Sequence, residues 1–267
     1  MLLTSGQLAD FERDGYLHVK NLFSLDEIER LKTIYARMQN VAQQMETPQN
    51  YAGSYFVVEG KKIHRIVWCA GVEPQLLSIS DDERLILPAA QILGSCQLNQ
   101  LICQAHFKIP GDGVIFPMHQ DSENRGYGTA DWKDVNGGGS YLQTVLALDP
   151  MTEENSPILV WPGSHKQGHV YLEKNENRQQ YVDETKIRMA CMEPGDLLMF
   201  GPYFIHGSGE NNSTKPRRIL INGYAYPGAN RRIYPGCGLG RRIDIPSKWQ
   251  QKLENLDSAI FGVRKVG

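Results

Sequence analysis

The sequence predicts a mainly β domain, a sandwich or barrel with flanking helices, on three observations. From about residue 99 onward, short β-rich runs are separated by turns of Gly, Pro and Asn, the pattern of packed sheets. Ahead of them lie two capping boxes, the second opening an apolar stripe at helical spacing. A chain of 267 residues is long enough to bury a substantial core, and all-β barrels of this length commonly form one unit. A single domain over 1–267 is therefore expected, with helical support over about 1–95, a β core over about 99–226 and an extension over 227–267.

In chain order, Thr4-x-x-Gln7 has the form of a capping box and precedes a short helix ending near Gly15. Tyr16 to Lys20 alternates like a strand. A second capping box, Ser24-x-x-Glu27, opens Ile28-x-x-Leu31-x-x-Ile34-Tyr35-x-x-Met38, one apolar stripe on a helix of about four turns that should brace a sheet from outside. Leu85 to Leu93 also reads as helix, with Pro88 in its first turn, where a missing N–H is harmless. The clearest strands are Leu101 to Ile109, Tyr141 to Leu148, Ile158 to Trp161, Asp196 to Phe200 and Arg217 to Ala225. Residues 122–140 form a long glycine-bearing loop, read as a lid that selects substrate. Tyr127 and Trp132 are the side chains in it large enough to cover a small ligand.

Composition narrows the partners. A net charge of −2 and a pI near 6.4 provide no broad attraction for nucleic acid or an anionic membrane, so a small molecule is expected. No apolar run approaches the roughly 20 residues that span a bilayer, and the N-terminus lacks a signal pattern, which predicts a soluble cytoplasmic protein. Five cysteines, Cys69, Cys96, Cys103, Cys191 and Cys237, contain no Cys-x-x-Cys pair and are read as buried thiols. Oligomeric state is not legible.

The chemistry concentrates in Phe116-Pro117-Met118-His119-Gln120-Asp121. In an extended strand residues i and i+2 share a face, so His119 and Asp121 can grip one metal ion together. With 7 His and 30 acidic residues in the chain, about one such His-x-acid pair arises by chance, so a third ligand is needed. His206 offers it, where an apolar run breaks into Gly207-Ser208-Gly209. Two imidazoles and one carboxylate make the facial set of non-haem Fe(II) oxygenases. Arg217 could fork onto the far carboxylate of a keto-acid cosubstrate.

His119-x-Asp121, His206-Gly-Ser-Gly-x-Asn211 and Lys215-Pro216-Arg217-Arg218 together resemble the phytanoyl-CoA dioxygenase family of Fe(II)/2-oxoglutarate oxygenases. Leu3-Thr4-x-x-Gln7-x-x-x-Phe11-x-x-x-Gly15-Tyr16 resembles the family's opening helix and strand, and Trp161-Pro162-Gly163-Ser164-His165 its Pro-Gly-Ser-His turn. The resemblance implies a double-stranded β-helix, or jelly roll, and a hydroxylase that consumes O2 and 2-oxoglutarate and releases succinate and carbon dioxide. It also implies His119, Asp121 and His206 as the iron ligands and Arg217 as the 2-oxoglutarate anchor. Family members that halogenate lack the carboxylate, so Asp121 points to hydroxylation or a related two-electron oxidation.

Each residue also has a plainer reading. His119 and His206 could be core histidines, and Asp121 a turn former. Strand alternation sends Arg217 and Arg218 to opposite faces, so only one can look inward. Ser208 shares the face of His206 if that segment is extended, and serves either the cosubstrate carboxylate or the turn. Gln104 and Lys108 alternate to one face with His106 and are candidates beside the cosubstrate. His165 and His169 read as hydrogen-bonding residues on a surface turn. Lys61, Lys62, His64, Arg65 and the arginines 231, 232, 241 and 242 would suit an anionic substrate if they reached the pocket, and a solvated surface otherwise. Tyr55 and Phe56 could wall an apolar or cationic one. Two other classes share the triad: a non-catalytic metal sensor and a zinc hydrolase.

Overall fold

The computed structural model describes residues 1–170, 172, 181–230 and 240–260. Helix α1 (Ser5–Asp14) is closed by the Thr4–Gln7 capping box and ends on Gly15, whose φ of 81° is the left-handed conformation that glycine adopts most readily. Strand β1 (Tyr16–Val19) follows, then α2 (Leu25–Ala42) from the Ser24–Glu27 box. Strands β2 (Gln49–Tyr51), β3 (Ser54–Glu59) and β4 (Lys62–Val67) form a meander, so the first 95 residues add four strands to their helices.

Short α3 (Leu77–Ser80) leads to α4 (Glu83–Leu93). Asp82 caps α4 by accepting from the Arg84 N–H at 2.8 Å, so the helix begins earlier than the apolar run suggests. Pro88 consequently lies inside the helix and not in its first turn. The missing N–H there is tolerated in a helix held by packing, for Leu85, Ile86, Leu87, Pro88, Ala89 and Ala90 are all buried. Arg84 also bridges the helix starts, at 2.6 Å from Glu27 and 2.7 Å from Asp82.

The remaining elements are β5 (Gln97–Lys108), β6 (Phe116–His119), α5 (Asp121–Asn124), β7 (Tyr141–Ala147), β8 (Ile158–Val160), β9 (Arg188–Ala190), β10 (Leu197–Phe200), β11 (His206–Ser208), β12 (Arg217–Ala225), β13 (Arg241–Asp244) and α6 (Ser247–Ile260). They build two antiparallel sheets: β1-β10-β7-β12-β5-β4-β3-β2, with β13 also on β5, and β6-β11-β8-β9. This is the jelly roll expected from the motifs. Strand β5 begins four residues before its expected start because β13, distant in sequence, pairs with Gln97 to Gln100.

The central large-sheet strands β5, β7, β10 and β12 are buried on both faces. Outward residues such as Cys103, Ala105, Phe107, Leu142, Leu146 and Leu220 join a core with α2 and α4. Inward residues such as Ile102, Val145, Phe200, Ile219 and Ile221 pack between the sheets. This double burial explains why five of the seven residues of β7 are apolar. Of the cysteines, Cys69 and Cys103 are buried with sulfurs 3.5 Å apart, whereas Cys96 is half-buried and Cys191 exposed, against expectation. Cys237 lies outside the described residues, among which no helix is long and apolar enough to cross a membrane.

Candidate active site

A cavity of about 340 Å³ opens between the sheets, and strand pairing decides which side chains line it. His206 on β11 lies opposite His119 on β6, with ring centroids 4.3 Å apart. The ladder shifts register between His206 and Ser208, where β6 carries Pro117, which has no N–H to donate. This bulge brings both Phe116 and His119 to the cavity although they are three positions apart. Gln120 is still extended (φ −118°, ψ 135°), so Asp121 emerges on the side of His119 as the first residue of α5. The Gln120 amide is pinned behind them, donating to the carbonyls of Gly168 at 2.8 Å and Tyr203 at 2.6 Å.

One ligand atom from each of His119, Asp121 and His206 lies within 4.8 Å of the others. Both rings are oriented alike. Nδ1 of His119 donates to the Pro117 carbonyl at 2.7 Å and Nδ1 of His206 to the Phe204 carbonyl at 3.0 Å, so each Nε2 keeps its lone pair for the cluster. Burial, with His119 adding to it, lowers the His206 pKa to about 4 and keeps that ring neutral. Asp121 is nearly buried, and its Oδ2 meets no donor. A buried carboxylate with an unpartnered oxygen beside two imidazole lone pairs is a donor set whose chemistry fits a divalent transition metal.

Further along the wall, Arg217 is only 3% exposed, and its Nε and Nη1 meet no acceptor. Burial lowers its pKa to about 10, so it stays charged at neutral pH. Arg218 turns to the opposite face and forks onto Asp149 at 2.8 Å from both Nε and Nη2. Lys108, the register partner of Arg217, reaches the Ser208 hydroxyl at 2.9 Å and the Gly209 carbonyl. Burial and the Arg217 charge lower the Lys108 pKa to about 7. Gln104 lines the cavity and bonds His106 at 3.0 Å.

Tyr127 and Trp132 are not among the cavity-lining residues. Tyr127 stacks on His169 at 3.8 Å and packs edge-on against Trp132, while His169 Nδ1 pairs with the Ser122 hydroxyl at 2.7 Å. The aromatics therefore brace the helix that begins at Asp121. His165 bonds the Glu12 carbonyl at 3.0 Å. Phe56 belongs to the outer core, Lys61 pairs with Glu46, Arg241 with Asp81 and Arg242 with Asp244. Arginines 231 and 232 lie outside the described residues. Gln143, Asn124 and Phe200 line the cavity unforeseen by motif reading, though alternation along β7 could have turned Gln143 and Val145 inward together.

A double-stranded β-helix carrying His, Asp and His beside a buried arginine defines the class of iron- and 2-oxoglutarate-dependent oxygenases. The family model for phytanoyl-CoA dioxygenase (PhyH) matches residues 11–219, and the chain belongs to that family. It is 32% identical to a probable alpha-ketoglutarate-dependent hypophosphite dioxygenase of Stutzerimonas stutzeri, over 90% of this chain and 84% of that one. It is 26% identical to a probable phytanoyl-CoA dioxygenase of Caenorhabditis elegans, over 84% of this chain and 76% of that one. The crystal structure of EctD from S. alaskensis with 2-oxoglutarate and 5-hydroxyectoine superposes with a TM-score of 0.68 at 22% identity, covering 92% of this chain and 86% of that one. The protein is accordingly a 2-oxoglutarate-dependent dioxygenase.

Proposed function

We propose that the protein hydroxylates a C–H bond of a small molecule, holding Fe(II) on His119, Asp121 and His206 and anchoring 2-oxoglutarate on Arg217. One observation carries the reading: three convergent donor groups and a buried guanidinium without an acceptor share one cavity. When bound, iron chelated by 2-oxoglutarate couples oxidative decarboxylation by O2 to oxidation of the substrate, with succinate and carbon dioxide as co-products.

The chain's own residues do the positioning. The two Nε2 atoms and the Asp121 carboxylate would hold the metal. Arg217 holds the distal carboxylate of 2-oxoglutarate, Ser208 offers it a hydroxyl, and Lys108 adds charge beside it. Gln104 supports that end of the wall through His106. Val145, Phe200, Ile219 and Ile221 keep water from the reacting carbon. Gln143 and Asn124 supply polar contacts that orient it. Tyr127 and Trp132 act from behind, by holding α5 and its carboxylate in place.

Anaerobic addition of Fe(II) and 2-oxoglutarate tests the reading through the weak visible charge-transfer band of the chelate. A band that requires both His119 and Arg217, followed by substrate-dependent succinate release in a metabolite screen, is the expected result. Binding of metal without any 2-oxoglutarate band would sink it.

A further inference from the structure

The large sheet turns a second arginine into the cavity, and a bulge puts it there. Strand β4 pairs Arg65 with Val57 but Ile63 with Val58, so His64 is an extra residue in the ladder with β3. Ile63 and Ile66, three apart, both enter the outer core. Arg65 and Val67 consequently face inward, beside His106 and Gln104 of β5. Without the bulge, the outward phase of Ile63 would carry Arg65 out with it.

Its state differs from that of six other arginines among the described residues. Arg13, Arg37, Arg84, Arg218, Arg241 and Arg242 each hold a carboxylate. Arg65 has no carboxylate among the described residues, and its Nε is buried without an acceptor. A half-buried guanidinium that lines the cavity with its Nε buried and unmet offers a donor to an anion.

That anion is not accounted for by the cosubstrate. The charges of Fe(II) and Arg217 are balanced by Asp121 and the two carboxylates of 2-oxoglutarate. Lys108 has Asp112 and Glu210 near it. Among the described cavity residues, Arg65 is the cation left over. Arg217 stands on β12 and Arg65 on β4, with β5 between them, so sheet spacing separates their backbones by roughly 10 Å. His106 lies between the cations, and burial together with Arg65, Arg217 and Lys108 holds it far below the usual imidazole range. The wall is thus positive and the neutral imidazole adds no competing charge.

We propose that Arg65 anchors an oxyanion group on the substrate, a carboxylate, sulfonate or phosphonate, so that the molecule oxidised is a small anion. The proposal rests on the reading of this cavity as a 2-oxoglutarate dioxygenase site. The cavity of about 340 Å³ must hold cosubstrate and substrate side by side, which favours a small substrate.

The test uses the anaerobic complex with Fe(II) and 2-oxoglutarate, titrated with butyrate, propanesulfonate and propylphosphonate and with butyramide as the neutral control. At least one anion should perturb the chelate band and raise the melting temperature, and butyramide should do neither. Arg65→Gln should weaken that anion at least tenfold and Arg65→Lys less, while 2-oxoglutarate affinity stays within threefold of wild type. The proposal is overturned if no anion binds the wild-type complex, if butyramide binds as well, or if Arg65→Gln binds anions normally. It is also overturned if Arg65→Gln loses 2-oxoglutarate tenfold, since Arg65 would then belong to the cosubstrate. Should Arg65→Gln not fold, the Arg65→Lys comparison and the wild-type selectivity against butyramide decide. A wild-type complex with no chelate band at all would instead refute the dioxygenase site itself.

Discussion

His119 and His206 are direct partners across the antiparallel pair β6–β11, and each ring is held by the carbonyl two residues before it. The metal site is thus built into one rung of the small sheet, with rotamers set by backbone. Replacing either His with Ala should abolish Fe(II)-dependent turnover of 2-oxoglutarate and leave far-UV circular dichroism unchanged, because the packed cores lie elsewhere. A variant that keeps normal turnover removes its residue from the ligand set.

Gly207 stands between His206 and Ser208 with no room for a side chain. A Cβ there would lie 2.7 Å from the Phe116 carbonyl oxygen and 3.0 Å from the Met118 nitrogen, so β6 would have to move. Gly207→Ala should separate the two histidines, weakening Fe(II) at least tenfold at a stability cost of roughly 1–3 kcal/mol. Calorimetric titration of the metal and a melting curve check both; unchanged metal affinity would mean that the rung tolerates the shift.

Arg217 and Arg218 should part in effect. Arg217→Ala removes a charge-assisted fork of ~1.5–3 kcal/mol, so the 2-oxoglutarate requirement should rise roughly 10- to 150-fold. Arg218→Ala breaks the Asp149 pair and should lower the melting temperature without altering that requirement. The reverse pattern would mean the inward face of β12 is misassigned.

Lys108 gives 2-oxoglutarate binding a pH dependence. Its pKa of about 7 lies far below the lysine value of 10.5, because burial and Arg217 disfavour the charged form. An arriving carboxylate favours the charged form, so binding takes up a proton once the pH exceeds 7. Affinity should therefore fall as pH rises from 7 toward 9, and Lys108→Met should flatten the profile. The same depression makes Lys108 destabilising below pH 7, where it is charged in both states. That cost is relieved progressively as pH rises from 7 toward 10.5.

The aromatic pair on the loop should govern coupling. Replacing Tyr127 and Trp132 together with Ala frees His169 and, through Ser122, the start of α5. Iron and 2-oxoglutarate affinity should stay within a few-fold, while product per succinate falls. Lost 2-oxoglutarate binding at constant product per succinate would instead place the loop in the cosubstrate pocket.

Local signals in the chain determined much of this. Both capping boxes, the stripe on α2, the strand from Arg217 to Ala225 and the order of the His, Asp, His and Arg motifs are properties of neighbouring residues, readable without a partner. Tertiary pairing decided the rest. The bulge at His64 turns Arg65 inward and the shift across Pro117 brings Phe116 and His119 to one cavity, both against simple alternation. Strand β13 lengthened β5 from across the chain. The loop aromatics found His169 and not the cavity. The physical reason is common to all of these: periodicity is encoded along the chain, whereas register, bulges and ring contacts are set by partners that are remote in sequence.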